Sequence, residues 1–339
     1  MLRSCTIRRV GLVLLFVAAL PVLLSAQARA IQVGPVVITV ANMERSVDFY
    51  TQVLTFEKRT DVERTGPEID ALYGVPNARV RAVGLKLGEE SIELLQFIGT
   101  AGAPMPIDAR SNDLSFQHVA IIVGDMDRAY TVLRQNNVEH ISPYPQRLPD
   151  WNPNAAGIKA FYFRDPDGHP LEILQFPPDK GDPKWRVANG RLFLGIDHTA
   201  IVVSNTDTSV DFYRNLLGLR VAGESDNYGF EQEHLNNVFG AHLRITSLRG
   251  QSGIGVELLE YITPRDGHAA PANATAADIS HHETVLLVDN IAGVNAVLPD
   301  AKNHSILVNQ ISGSELLFHA SQAELIPDPD GHQLLLLQR

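Results

Sequence analysis

Two short sequence motifs occur twice in this chain, and their spacing constrains the fold more than any other feature. Ser46-Val-Asp-Phe-Tyr50 recurs as Ser209-Val-Asp-Phe-Tyr213, and Asp165-Pro-Asp-Gly-His169 recurs as Asp328-Pro-Asp-Gly-His332. Each second copy begins 163 residues after the first. Because two unrelated motifs share one offset, the chain is a tandem duplication.

A weaker repeat divides each half into two modules. Four similar apolar segments are typical of terminal strands: Glu93–Phe97, Glu172–Phe176, Glu257–Tyr261 and Leu335–Arg339. Every module opens with another apolar strand, and a helix follows it. In the first module Asn42 is the predicted N-cap, and Val47, Tyr50 and Leu54 form an apolar stripe. We therefore predict an α+β fold of four βαβββ modules that form two tandem domains.

The N-terminal residues are typical of a secretory leader. Three arginines precede the apolar run Val10–Leu24, and Ala28-Arg-Ala30 resembles a cleavage site. The apolar run is shorter than the roughly 20 residues of a membrane-spanning helix. We predict a signal peptide over residues 1–30 and export to the periplasm or the medium, with an uncleaved anchor as the alternative. The predicted domains are then 31–177 and 195–339, joined by a linker over 178–194.

Removal of the leader would leave an acidic chain without cysteine. The leader contains four of the 28 basic residues, none of the 39 acidic residues and the only cysteine, Cys5. The remaining 24 basic and 39 acidic side chains give a net charge of −15. Such a surface repels phosphate backbones and anionic lipid, so we expect neither a nucleic-acid nor a membrane partner. Disulfides and thiolate metal sites are also excluded.

The repeated motifs and the glutamate-containing strand endings together resemble the vicinal oxygen chelate (VOC) superfamily. That superfamily includes glyoxalase I, bleomycin-resistance proteins and extradiol dioxygenases. The resemblance covers nearly all of the chain after the leader. It implies that two modules pair into a curved eight-stranded cup around a divalent metal ion, which residues of the first and fourth strands hold. Because activities within the family vary widely, the fold alone does not specify the function.

Transferred residue by residue, the resemblance assigns one candidate ligand position to each first and fourth strand. The first-strand positions are Pro35, His118, His198 and Glu283, and the fourth-strand positions are Glu93, Glu172, Glu257 and Leu335. The first domain would then hold a metal through Glu93, His118 and Glu172. Pro35 stands where a fourth ligand is expected. Three protein ligands leave room for a substrate, and this donor set favours Mg²⁺, Mn²⁺, Fe²⁺, Co²⁺, Ni²⁺ or Zn²⁺.

The second domain offers a less complete ligand set. It contributes His198, Glu257 and Glu283, whereas Leu335 removes the fourth ligand. Strand alternation places His281 on the same face as Glu283, where it could substitute, and turns the residue between them away. A degenerate, metal-free cup is the alternative in this domain.

Structural roles remain open for several of these residues. His118 could be a core histidine with satisfied hydrogen bonds, and Glu93 or Glu172 could pair with Arg81 or another cation. Arg244 is expected to face the second cup, where it would neutralise an anionic substrate or serve a structural role. The histidines that close the two Asp-Pro-Asp-Gly-His turns are expected to face solvent.

By this resemblance we expect a metal-dependent lyase or isomerase of the glyoxalase type, acting on a small substrate with adjacent oxygens. Glu93 or Glu172 would move a proton next to a carbonyl. One alternative is a metal-free small-molecule binder of the bleomycin-resistance type. Another is an extradiol dioxygenase, against which Leu335 argues because it replaces a terminal-strand carboxylate. The modules could pair within one chain or between the chains of a homodimer.

Overall fold

The computed structural model describes residues 28–187, 189–298, 304–307 and 320–338, with only the backbone of residues 304–307. The predicted leader lies outside this part of the chain except for its last three residues. Within the described ranges the chain forms two nine-stranded sheets with short helices, which confirms the predicted α+β fold. No helix in these ranges is long and apolar enough to cross a membrane.

The strands follow the predicted module order. Module 1 contains β1 (Ala30–Thr39), β2 (Glu57–Thr65), β3 (Arg79–Leu87) and β4 (Glu90–Phe97). Module 2 contains β5 (Gln117–Val123), β6 (Glu139–His140), β7 (Gln146–Arg147), β8 (Lys159–Arg164) and β9 (Pro170–Gln175). Module 3 contains β10 (Phe193–Val202), β11 (Arg220–Tyr228), β12 (His242–Arg249), β13 (Ser252–Gly253) and β14 (Gly255–Thr263). Module 4 contains β15 (His282–Val288), β16 (His304–Leu307), β17 (Gln322–Pro327) and β18 (Gln333–Gln338).

A capped helix follows the first strand of every module. The helices are α1 (Met43–Asp48), α2 (Pro67–Tyr73), α3 (Met126–Gln135), α4 (Thr206–Asp211), α5 (Phe230–Asn236) and α6 (Ile291–Val297). Single π-helical turns, Phe49–Val53 and Phe212–Leu216, extend α1 and α4. The side chain of Asn42 accepts a hydrogen bond from the N–H of Arg45, which confirms the predicted N-cap. Asp125, Asn205 and Asn290 cap α3, α4 and α6 in the same way.

The two repeated motifs contact each other across neighbouring modules. The buried hydroxyl of Tyr50 donates to Asp165 Oδ2 at 3.2 Å, and the hydroxyl of Tyr213 donates to Asp328 Oδ2 at 3.0 Å. Each tyrosine comes from the helix motif and each aspartate from the turn motif. The contact gives a physical reason why the motifs recur at one offset.

The turn histidines are buried, so the expectation that they face solvent is wrong. The His169 ring donates from Nδ1 to Asp165 Oδ2 at 2.8 Å and from Nε2 to the carbonyl of Ile279 at 2.7 Å. Burial lowers the pKa of His169, but the Asp165 carboxylate outweighs burial and raises it. His332 makes the matching contact with the carbonyl of Val202 at 2.8 Å. Each histidine thus connects its turn to another module through a hydrogen bond to a backbone carbonyl.

The sheets do not follow the two sequence halves. Sheet 1 has the order β16-β17-β18-β15-β1-β4-β3-β2, with β13 beside β1. Sheet 2 has the order β11-β12-β14-β10-β5-β9-β8-β6, with β7 beside β8. Apart from β13, sheet 1 therefore joins modules 1 and 4, and sheet 2 joins modules 2 and 3. The expectation that each half builds its own metal-binding cup is wrong, because each half supplies part of both sheets.

Strand alternation separates the apolar side chains into distinct cores. Val36 and Ile38 of β1 point into a core that all four modules share, where Tyr50 is also buried. Val37 between them points to the inner face of sheet 1 and its own apolar cluster. A third cluster, which includes Leu243, covers part of the inner face of sheet 2. The rest of that inner face borders the cavity described below.

Candidate metal centre

Four of the predicted ligands meet on the inner face of sheet 2. His118 of β5 lies opposite Ala200 of β10, and Ala200 lies beside Glu257 of β14. Two residues further along the same two strands, and on the same face, Ala120 of β5 lies opposite His198 of β10 and beside Glu172 of β9. The first and fourth strands of modules 2 and 3 thus place two histidines and two glutamates on one face of sheet 2.

The distances between these side chains fit a shared cation. Nε2 of His118 lies 3.2 Å from Glu172 Oε2, and Nε2 of His198 lies 3.6 Å from the same oxygen and 3.4 Å from Glu257 Oε2. Donor atoms of His118, Glu172 and His198 all lie within 4.8 Å of one another. Two ligands about 2.1 Å from one ion are separated by about 3.0 Å in octahedral and about 3.4 Å in tetrahedral geometry.

The histidines also lack the partners that a purely structural role requires. Among the described residues, neither ring nitrogen of His118 and not Nε2 of His198 has a hydrogen-bond partner. Both side chains are almost fully buried. Because buried polar atoms are nearly always hydrogen-bonded, this arrangement disfavours the core-histidine interpretation of His118. Two imidazole nitrogens and two carboxylates form a donor set suited to a divalent ion.

The charge of the cluster favours a cation. Burial lowers the pKa of His198, but the carboxylates of Glu257, Asp197 and Glu172 outweigh burial and raise it to about 9. The site thus stabilises positive charge at the imidazole when no other cation is present. A bound divalent ion would supply that charge in its place.

A cavity of about 1050 Å³ opens directly beside the cluster. Glu172, His198 and Glu257 line it together with apolar and aromatic side chains such as Tyr162 and Trp185. Its volume lies at the upper end of the range for small-molecule sites, which is about 300–1,000 Å³. A ligand in the cavity would have direct access to the cluster.

Glu93 and Glu283 lie in sheet 1 and therefore do not join this cluster. They flank Val37 of β1, with Glu93 on β4 and Glu283 on β15. Glu93 Oε1 lies 3.2 Å from Nη1 of Arg64, whose side chain is 2% exposed. His281 Nε2 lies 2.9 Å from Glu283 Oε1, so these two residues share a face as predicted. The predicted groupings of Glu93 with His118 and of Glu283 with His198 are wrong, because the modules pair across the sequence halves.

Arg64 marks the chemical difference between the two sheets. In sheet 1 this buried guanidinium supplies positive charge beside Glu93. The residue 163 positions later is Asn227, in the matching place on β11 of sheet 2. Asn227 is neutral and hydrogen-bonds to Asn152 and Gln232. Sheet 1 thus has a buried guanidinium beside its Glu93 carboxylate, whereas sheet 2 has a neutral side chain at the corresponding position.

We expect Glu93→Gln to lower the free energy of unfolding by about 3 kcal/mol, since it leaves the Arg64 charge buried without its partner. Metal content should not change. Chemical denaturation and metal analysis of the same preparation measure both quantities. Loss of metal in this variant would support the ligand role first assigned to Glu93.

Arg81 does not pair with Glu93 or Glu172, and Arg244 faces away from the inner surface on which it was expected. Arg81 lies 2.8 Å from Asp61 and contacts no candidate ligand. Arg244 lies 2.8 Å from Asp207 and 3.1 Å from Glu224. Each arginine lies between two apolar residues of its strand that point inward. Because side chains alternate along a strand, this pattern in the sequence indicates that the arginine points outward.

The sequence patterns did not indicate two further candidate residues on β12, Ser247 and Arg249. Ser247 donates a hydrogen bond to Glu257 Oε1 at 2.6 Å, and Arg249 contacts Asp197 Oδ2 at 2.7 Å. Ser247 lies directly opposite Glu257 on the neighbouring strand, so the two side chains share a face. Aligning β12 against β14 from Glu257 predicts that Ser247, and Arg249 two residues later, lie on the same face as Glu257.

His282 gives a pH-dependent contribution to stability. It faces away from Glu283, and its ring packs 5.1 Å from that of His169. Burial, followed by the neighbouring His169 charge, lowers the pKa of His282 to about 3. The unfolded chain takes up this proton below about pH 6.5, whereas the folded chain does so only near pH 3. Stability from this residue is therefore lost as the pH falls below about 6.5.

We expect His282→Gln to lose less stability than the wild type between pH 7 and pH 4, because glutamine does not titrate. Urea denaturation at several pH values gives the difference in unfolding free energy. A difference between the two proteins that stays constant over this range would contradict the assignment.

Comparisons with known proteins agree with this architecture. The model of the Glyoxalase/Bleomycin resistance protein/Dioxygenase superfamily matches residues 32–173 and again residues 195–336. Glyoxalase I from Zea mays is similar with a TM-score of 0.57 and 14% identity, over 92% of each chain. A putative dioxygenase from Bacillus subtilis has a TM-score of 0.55 and 13% identity, over 91% of this chain and 86% of that one. At these identities the structures support the fold alone, and no match was found among curated proteins. Because the family model covers most of the sequence in two copies, the chain belongs to the glyoxalase/bleomycin resistance protein/dioxygenase superfamily.

Proposed function

We propose that this protein is a metal-dependent lyase or isomerase that acts on a small substrate with adjacent oxygen atoms. The observation that carries the proposal is the convergence of two unpartnered, buried imidazole nitrogens with two carboxylates beside a large cavity. His118, Glu172 and His198 would hold the ion, and Glu257 would be the fourth ligand. Mg²⁺, Mn²⁺, Fe²⁺, Co²⁺, Ni²⁺ and Zn²⁺ all suit this donor set.

When bound, the ion would supply Lewis-acid stabilisation of negative charge on the substrate oxygens. The protein side chains would divide the remaining work. Glu172 lies between the two imidazoles and its side chain is only 5% exposed, so it acts mainly as a ligand. Glu257 is 23% exposed towards the cavity and accepts a hydrogen bond from Ser247.

Glu257 is therefore the carboxylate best placed to leave the ion, and then to take and return a proton next to a substrate carbonyl. This assignment replaces Glu93 and Glu172 as the predicted base. Glu93 lies in the other sheet with Arg64, and Glu172 has little freedom to move. The hydroxyl of Ser247 would hold the Glu257 carboxylate in position.

Metal analysis and proton exchange test this proposal. Wild-type protein should bind one divalent ion per chain and catalyse solvent exchange of the C–H next to a carbonyl, measured by NMR in heavy water with a panel of 2-hydroxycarbonyl and 1,2-dicarbonyl compounds. Glu257→Gln should keep the metal through its three other ligands and lose about 100- to 10,000-fold in exchange rate. A wild-type chain that binds no added metal but binds apolar ligands would instead support the metal-free binder.

A ring-cleaving dioxygenase is the second candidate, and the module pairing restores it. Leu335 lies in sheet 1, so it no longer argues against a site in sheet 2. His118, His198 and Glu172 provide the two histidines and one carboxylate that iron(II) oxygenases use. Glu257 as a fourth ligand would occupy a position that oxygen needs, which favours the lyase or isomerase. Oxygen uptake with iron(II) and catechol would reverse this preference.

We also propose that the protein is exported after loss of residues 1–30. Support comes from the charged and apolar segments of the leader and from its small-residue cleavage site. N-terminal sequencing of protein from the producing cells should give Ile31 as the first residue. Full-length protein retained in the cytoplasm would contradict this proposal.

A further inference from the structure

Asp197 lies next to the metal ligand His198 and on the same side of the sheet. Consecutive residues of a regular strand point to opposite faces. The register between β10 and β5 shifts between Ile196 and His198, and this bulge changes the local direction of the side chains. Asp197 and His198 consequently both border the cavity beside the cluster.

The contact between these neighbours selects one form of the imidazole. His198 Nδ1 lies 3.0 Å from Asp197 Oδ2. Arg249 donates to the same Asp197 oxygen at 2.7 Å, and this guanidinium stabilises the ionised carboxylate. An ionised carboxylate can only accept hydrogen bonds, so Nδ1 carries the proton. Nε2 is therefore the nitrogen that faces the cluster, and it would offer its lone pair once a metal ion replaces its proton, which is the arrangement that a metal ligand requires.

Asp197 is itself fixed from two directions. Arg249 of β12 donates to Asp197 Oδ2 at 2.7 Å and to the Asp197 carbonyl at 2.9 Å. Trp185 donates from its indole Nε1 to Asp197 Oδ1 at 3.3 Å. The ammonium of Lys184 lies 4.3 Å from the centre of the indole ring and 2.5 Å from Glu90. Gly195 lets the indole approach β10, because a Cβ there would lie 2.8 Å from the ring.

Trp185 belongs to the segment that joins the two sequence halves. It lies in a single 3₁₀-helical turn, Pro183–Arg186, within the predicted linker. The linker thus lines the cavity through an indole that also donates a hydrogen bond to Asp197. His118, by contrast, has no partner for Nδ1 among the described residues.

We propose that Asp197 is the positioning residue of the metal centre, and that Trp185 and Arg249 hold it in place. Asp197 fixes the tautomer and ring orientation of His198 and increases its basicity as a ligand. The linker thereby becomes part of the metal site, because one of its side chains supports this carboxylate. This inference rests on the proposed metal-dependent function.

Cobalt(II) binding to the full chain tests the inference without any need for a substrate. Asp197→Ala should weaken cobalt affinity by about 10- to 100-fold, the usual effect of losing an outer-sphere partner of a histidine ligand. The visible absorption bands of bound cobalt should shift as the imidazole reorients. Asp197→Asn should lose less affinity, because the amide oxygen still accepts from Nδ1, and it provides the readout if the alanine variant does not fold.

Two further variants separate positioning from a general structural role. Trp185→Phe keeps an aromatic ring but removes the indole N–H donor, so it should shift the cobalt spectrum in the same direction with a smaller loss of affinity. Asp226→Asn is the matched control, because Asp226 pairs with His242 at 2.6 Å away from the cluster. This control should bind cobalt like the wild type.

Wild-type affinity and an unchanged spectrum in both Asp197 variants would overturn the positioning role while leaving the proposed function intact. A wild-type chain that takes up no cobalt would overturn both. Equal losses in Asp226→Asn and Asp197→Asn would also contradict the inference, because the effect would then not be specific to the metal ligand.

Discussion

Replacing Glu172 by glutamine is expected to weaken divalent-metal binding by more than about 100-fold, beyond the usual effect of losing an outer-sphere partner. Glu172 Oε2 lies 3.2 Å from Nε2 of His118 and 3.6 Å from Nε2 of His198. One carboxylate oxygen is therefore close to both imidazoles of the cluster. A neutral amide would remove the charge that offsets the cation. Isothermal titration calorimetry with Co²⁺, Ni²⁺ or Zn²⁺ measures the change.

Glu93→Gln is the matched control for this experiment. The two glutamates occupy the same position in their terminal strands, and the substitution is chemically identical. Glu93 contacts Arg64 in sheet 1 and should not affect metal affinity. Equal loss of metal in the two variants would contradict the separation of the ligands into two sheets.

Cutting the chain between its sequence halves is expected to remove the metal site entirely. Residues 31–187 contain His118 and Glu172, whereas residues 188–339 contain His198 and Glu257. The N-terminal half would also expose the apolar edges of β1 and β5, and the C-terminal half those of β15 and β10. In the intact chain β1 pairs with β15 and β5 pairs with β10. Neither half should therefore unfold cooperatively as a monomer or bind a divalent ion as a monomer.

Mixing the two halves should restore one metal site for each pair. Size-exclusion chromatography with light scattering gives the mass of each species, and metal analysis of the fractions gives the stoichiometry. A monomeric half that binds one equivalent of metal tightly would contradict the pairing of modules 2 and 3. This outcome would favour two independent domains.

The local structure was predictable from sequence because it depends on neighbouring residues. Asn42 caps its helix as expected, and Tyr50 and Leu54 of the predicted stripe are fully buried. The equal spacing of the repeated motifs indicated four modules, and four modules are present. These features follow from helix periodicity and capping, which act over a few residues.

The pairing of modules was not predictable in the same way. Any two modules bring a first and a fourth strand to one inner face, so local patterns allow either pairing. The choice depends on strand contacts such as those of β1 with β15 and of β5 with β10, which join residues far apart in sequence. The sequence did contain one indication of the observed pairing. Only pairing modules 2 and 3 brings both histidines of the predicted ligand positions, His118 and His198, into one site with two glutamates.

Side-chain direction accounts for most of the other differences. Arg81 and Arg244 each point outward because a shift of one residue reverses the face of a strand. Arg64 escaped attention because its buried role depends on Glu93, a partner two strands away. The burial of His169 depends on a carbonyl from another module. In each case the decisive contact lies outside the local sequence.

The position of a bound ion tests the central claim most directly. Crystals grown with Co²⁺ or Zn²⁺ should show a single anomalous peak per chain, about 2.1 Å from the nearest donor atoms of His118, Glu172 and His198. A peak beside Glu93 and Glu283, or no peak at a metal concentration that saturates binding, would contradict a single metal centre built by modules 2 and 3.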